Sequence, residues 1–271
     1  MREIPLDDVG LKVRSLLSSV KLEPMALMKT SNPALSANAF RFAHADTGES
    51  MSISGTVNKT GILLICAVAT AAWSWNRFTV APETAALPLM VGAIGGFVVA
   101  LVTIFKKDWA PVTAPLYALL EGLVLGSVSA MYEARFHGIA IQAVGLTFGT
   151  LFALLLAYRA GVIRATEKFR LGVIAATGGI AIFYLAQFAL GFFGVHFAAI
   201  NGSGAIGIGF SVVVVIVAAL NLVLDFDFIE SGASSGAPKY MEWYAAFGLM
   251  VTLIWLYLEI LRLLSKTRGR D

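Results

Sequence analysis

Five acids stand within or at the edges of long hydrophobic runs, and they are the side chains whose chemistry needs explaining: Glu121, Asp225, Asp227, Glu242 and Glu259. An ionisable group is costly in hydrocarbon, so such positions mark ion paths, proton relays or polar contacts between helices. Glu121 lies ten residues into the third run, about 15 Å of helix rise from its start and so near mid-membrane. Asp225 and Asp227 close the sixth run. Residues two apart on a helix diverge by about 200°, so these aspartates cannot both face one interior. Glu242 opens the seventh run, where the helix dipole favours an acid. Glu259 precedes Arg262 by three residues, the spacing of an interfacial ion pair. Asp227 and Glu230 read as solvated groups at a helix end. For Glu121 and Asp225 two readings stand, a functional polar cavity and a structural hydrogen bond between helices. Either acid could also touch a hard cation such as Ca²⁺ in passing, together with Glu242 and helix-end carbonyls.

Other catalytic machinery is missing from the sequence. His44, His137 and His196 are scattered and no H-E-x-x-H occurs, so a catalytic zinc is not expected. No G-x-x-x-x-G-K-[ST] loop and no G-x-S-x-G elbow are present, and the middle of the seventh run holds no lysine for a retinal Schiff base. A single cysteine, Cys66, excludes an internal disulfide. The chain reads as a non-enzyme with no cofactor and no nucleic-acid partner.

The elements that must carry these acids follow from composition. The 271 residues are 58% hydrophobic and 14% charged, with a mean hydropathy of +0.80, outside the balance of soluble domains. The apolar residues form blocks of about 18 to 25, the length that crosses ~30 Å of hydrocarbon, whereas barrel strands would be ~10 residues long and alternating. The expected fold is an all-α, polytopic transmembrane bundle of seven segments, at 60–77, 86–105, 111–132, 138–158, 171–193, 206–229 and 241–264. The last should be central, because a lipid-facing helix would have to bury Thr252 and Glu259 in hydrocarbon. Residues 1–59 form a polar arm expected to be largely disordered, with an amphipathic stretch from Val9 to Leu22; 60–265 form the membrane domain, and 266–271 a basic tail. No apolar stretch follows the first basic residues, so no signal peptide is expected. Gly92/Gly96, Gly122/Gly126 and Gly145/Gly149 are small-xxx-small pairs that allow close helix packing.

Orientation follows the Lys and Arg bias. Seven lie in the arm, Lys106 and Lys107 follow segment 2, four lie between segments 4 and 5, and Lys239 lies between 6 and 7. Only Arg77 and Arg135 lie on the opposite side, so the N-terminus is expected in the cytoplasm. Arg262, Lys266, Arg268 and Arg270 conflict with this, since seven crossings put the C-terminus outside. The sequence leaves open whether the last segment fully crosses.

Several stretches resemble the Bax inhibitor-1 family, most closely its bacterial YccA-like branch. They are E-G-L-V-L-G at Glu121–Gly126, L-D-F-D-F-I closing segment 6, W-L-Y-L-E-I-L-R-L-L closing segment 7, and the arm motifs at Met28–Ser36 and Ser54–Gly61. The resemblance covers about residues 25–265. It implies a multi-pass protein of the bacterial inner membrane that acts as a passive, pH-modulated Ca²⁺ leak. The alternative it implies is a regulator of a membrane-bound ATP-dependent protease, linked to stress survival. In the leak reading Asp225 matches the family's segment-6 aspartate, and Lys106 or Lys107 matches a basic latch at the end of segment 2. The family's segment-7 aspartate falls at Thr252. A threonine can donate a hydrogen bond but cannot share a proton as a second acid, so Glu121 or Glu242 would have to supply the second carboxylate.

Overall fold

The computed structural model describes residues 50–84, 86–194 and 198–269; the amphipathic stretch expected at Val9–Leu22 lies outside them. Seven long apolar helices make up the fold: α1 Ile53–Val80, α2 Ala86–Phe105, α3 Ala110–Arg135, α4 Ile139–Arg159, α5 Glu167–Gly191, α6 Ala205–Ser234 and α7 Met241–Arg268. Single helical turns at Pro82–Thr84, Lys107–Trp109 and Ala198–Asn201 punctuate the connections. Among the described residues no strand forms; an isolated bridge pairs Ser50 with Pro238.

Helix ends depart from the apolar blocks for local reasons. The first helix starts at Ile53 rather than 60, because extended Ser52 caps it and accepts a bond from the Gly55 amide at 3.0 Å. Two turns of what reads as polar arm are thus helical. Gly138 takes φ 77°, a left-handed conformation that turns the chain sharply between α3 and α4. The last helix runs through Arg268, so residues 266–268 of the basic tail continue α7.

As its polar residues predict, α7 is the most buried of the seven helices and packs against α1, α3, α4 and α6. Thr252 and Glu259 are each only 3% exposed. Helix α2 packs chiefly on α3, and α5 chiefly on α6. Both ends of α7 reach the connections they should if it crosses fully. At its start Glu242 meets Ser52 and Lys59 of α1. At its finish Arg268 donates to the His137 carbonyl and to Gln142, while Lys266 donates to the carbonyls of Ile200 and Gly207 and to Ser211 Oγ. Arg262 is bonded to Glu259 and Tyr184. Three of the four basic residues that conflict with a C-terminus on the far side are therefore bonded to other parts of the protein, Lys266 in a buried position.

In lipid, helices associate through close backbone approach rather than hydrophobic burial. A Cβ on Gly122 would lie 2.3 Å from the Ala67 carbonyl oxygen, and one on Gly126 2.1 Å from that of Ala71, so α1 and α3 touch only because both are glycine. Gly92 does the same against the Leu120 carbonyl of α3, and Gly96 faces the Glu121 carboxyl group. The third pair corrects its expected role: nothing lies within 4 Å of where a Cβ of Gly145 or Gly149 would sit, because α4 turns that face outward. Gly126→Ala should therefore cost about 1–3 kcal/mol by overpacking, seen as a lowered midpoint of thermal unfolding in detergent. Gly145→Ala should leave the midpoint unchanged or raise it.

Candidate functional site

Helix polarity sets the frame. The end of the bundle holding the starts of α1, α3, α5 and α7 also holds the finishes of α2, α4 and α6. Here α6 and α7 meet through the connection 235–240. Asp225 lies nine residues before the end of α6 and Thr252 eleven after the start of α7, so they sit at ~14 and ~17 Å of helix rise from that turn. Asp225 is fully buried, with an exposure of 0%, and the residues flanking it from Leu222 to Phe226 are buried as well. Thr252 donates to the Gly248 carbonyl within its own helix. One turn before Asp225, Asn221 donates to Thr177 of α5 and to the Val217 carbonyl.

Glu242 forms a different kind of site at the start of α7. Its side chain is 0% exposed, and its oxygens accept from the Ser52 amide at 2.9 Å, from Ser52 Oγ at 2.8 Å and from the Lys59 ammonium. The Lys239 ammonium lies 3.4 Å away, and Lys59 also sits over the Trp243 ring. Gly55 is required beside this carboxylate, since a Cβ there would lie 2.1 Å from Oε1. Glu242 thus fastens the start of α1 to the start of α7. Backbone pairing of the Met51 amide with the Ala237 carbonyl at 2.7 Å extends the same seam.

The expected latch residues occupy the neighbouring turn. Lys106 is exposed; Lys107 is half-buried with its ammonium 5.8 Å from the centre of the Tyr244 ring. The same turn brings Asp108 near Tyr240, where burial and then that carboxylate push the tyrosine hydroxyl above its usual range.

The remaining acids are distributed elsewhere. Glu121 faces Gly96 across the α2–α3 seam, away from the α6–α7 turn. Glu259 takes the expected pairing with Arg262 at 3.1 Å, and Tyr184 of α5 completes the group by donating to Glu259 and accepting from Arg262. Asp227 corrects its reading as a solvated end, because Arg170 of α5 binds it at 2.6 Å; Glu230 is exposed at the helix end as read, where it also accepts from Tyr158 of α4. The two aspartates do diverge as helix geometry requires, Asp225 inward and Asp227 toward α5. A cleft of about 530 Å³ between α1, α3, α4 and α7 is lined by residues such as Ala71, Trp75, Phe148 and Leu253 and holds no acidic or basic side chain. Among the described residues no cluster of His, Cys, Asp and Glu could hold a metal ion.

The Bax inhibitor 1 like family profile matches residues 32–269, nearly the whole of this arrangement. The chain belongs to that family. No curated protein and no solved structure is significantly similar to it. In this member of the Bax inhibitor 1 like family the acids and the Glu259–Arg262 pair are legible in the sequence, whereas their partners from other helices are not. Ser52 and Lys59 read as arm, although Lys59 stands at the edge of an apolar block. Asn221 carried a usable signal, a lone amide one helical turn from Asp225. Lys266 read as tail charge, yet it is 7% exposed and makes three hydrogen bonds.

The Glu242 cage sets a stability expectation. Removing one partner of a buried, hydrogen-bonded charge pair leaves the other unsatisfied, so Glu242→Ala should cost about 3 kcal/mol or more. The check is thermal unfolding in detergent, where Lys239→Ala, which removes the most exposed member, should shift the midpoint far less.

Proposed function

We propose that this Bax inhibitor 1 like protein is a passive cation conduit, with Ca²⁺ as the favoured ion and Asp225 as its gate. The observation that carries the reading is the fully enclosed Asp225 carboxyl, about 14 Å of helix rise from the end of the long hydrophobic helix α6. Enclosure by protein rather than lipid is how functional acids are kept inside membranes. Thr252 on the packed neighbour α7 offers a hydroxyl at similar depth, and oxygen ligands are what a hard cation requires. Glu242 is occupied by Ser52, Lys59 and Lys239, which leaves it a fastening rather than a ligand. Lys107, with its ammonium over the Tyr244 ring, is a latch candidate in contact with the first turn of α7. Its stem is long enough to lie along apolar surface while the ammonium moves.

The proposed setting is a bacterial inner membrane with the N-terminus in the cytoplasm. The Lys and Arg bias supports it, as does the engagement of Arg262, Lys266 and Arg268 within the protein. A second reading, regulation of a membrane-bound ATP-dependent protease through the arm, draws on the anchoring of the arm's root at the α6–α7 connection by Met51 and Ala237.

Vesicles holding the full chain and a calcium dye test the main reading. Wild type should pass Ca²⁺ down its gradient, and Asp225→Asn should change that rate several-fold or abolish its pH dependence. Thr252→Asp should add a second acid and strengthen the response to pH, because two carboxylates sharing a proton titrate as a coupled pair. Identical, dye-silent behaviour of wild type and Asp225→Asn would overturn the proposal.

A further inference from the structure

The buried acids differ in one respect that the conduit reading does not use. Glu242 has Lys59, Glu259 has Arg262 and Asp227 has Arg170. Asp225 is enclosed completely. Glu121 has neither arrangement. It lies eleven residues into α3, ~17 Å of helix rise and so about halfway across a ~30 Å hydrocarbon core. Its Oε1 would be 2.8 Å from a Cβ on Gly96, so the carboxyl group rests against bare backbone of α2. The side chain is only half-buried, and α2 leans on α3 rather than on the rest of the bundle.

The groups around Glu121 offer no counter-charge. Across the seam α2 presents Gly92, Gly95 and Gly96. On α3 itself the nearest titratable group is Tyr117, one turn earlier, whose ring packs edge-on against Phe247 of α7. On the α1 side of α3, Thr70 is taken up by the Leu119 carbonyl. Among the described residues no Lys, Arg or His pairs with Glu121, and no hydrogen bond reaches its carboxyl. A bare carboxylate is the costliest occupant of such a place, and a neutral acid the cheapest.

We infer that Glu121 is a proton-carrying carboxylic acid open to the membrane interior at the α2–α3 seam, and hence a site of covalent addition for lipophilic carbodiimides. The chemistry needs the acid form. The carboxyl proton passes to one nitrogen of the carbodiimide while the carboxyl oxygen adds to its central carbon, giving an O-acylisourea. Transfer of the acyl group to the neighbouring nitrogen then gives a stable N-acylurea. Nothing leaves, so the peptide gains the whole mass of the reagent. This site is independent of whether Asp225 gates an ion.

The test uses the full chain in phospholipid vesicles, treated with dicyclohexylcarbodiimide and, in parallel, with a cationic water-soluble carbodiimide, followed by peptide mass analysis. The expected result is an adduct at Glu121 from the lipophilic reagent, weak or absent from the water-soluble one, with Glu242 and Glu259 unmodified. Its rate should fall as pH is raised from about 6 to about 9, by up to ~10-fold per pH unit once the proton is lost. Glu121→Gln should abolish the adduct while leaving thermal unfolding unchanged, since a neutral isostere replaces a neutral acid; Glu121→Asp should retain a slower reaction. No adduct at Glu121 at any pH would overturn the inference. So would equal labelling by the water-soluble reagent, which indicates a water-filled opening, or a marked loss of stability in Glu121→Gln, which indicates a structural charge.

Discussion

The bundle depends on the polar bonds of α7. In hydrocarbon, apolar surface gains little by leaving lipid for protein, so helices need some other reason to stay together. Helix α7 supplies it along its whole length: Glu242 to α1, Tyr257 to Ser129 of α3 at 2.6 Å, Glu259 to Tyr184 of α5, Lys266 to the start of α6, and Arg268 to the α3–α4 turn. Five elements are thereby tied to one helix. Glycine contacts then let α3 close on α1 and α2, so the fold combines a polar central post with a small-residue seam on one side.

That division explains which parts were legible in the sequence. Seven helices could be read because a membrane sets the length of an apolar block, and the centrality of α7 because Thr252 and Glu259 cannot face lipid. The start of α1 could not, since a capping serine rather than hydrophobicity decides it. Gly122/Gly126 and Gly145/Gly149 have the same spacing and opposite environments, because spacing describes one helix and says nothing about what lies across from it. Local pairs follow the same rule. Glu259 and Arg262 are neighbours by helix geometry alone, whereas Tyr184, which joins them, comes from a helix more than seventy residues earlier.

The acids illustrate how one residue type serves different ends under different surroundings. Glu242 is saturated with donors and holds two helices together. Asp227 and Glu230 tie the start of α5 and the finish of α4 to α6. Asp225 is enclosed in the same helix two residues from Asp227, and the half-turn between them separates an interior position from a peripheral ion pair. Composition groups all of these as charge in a membrane protein; only the identity of the opposing helix distinguishes them.

The position of the central post in the chain has a consequence for biosynthesis. Helix α7 emerges from the ribosome after the six helices it organises. Until then Lys59 and the start of α6 wait in the bilayer without Glu242 and Lys266, and six spans are held by little more than the glycine seam and the α4–α6 and α5–α6 contacts. Insertion and assembly are therefore separate events, and the second must await the final span. A chain ending before it would leave Lys59 and the start of α6 without the polar groups that meet them in the finished bundle.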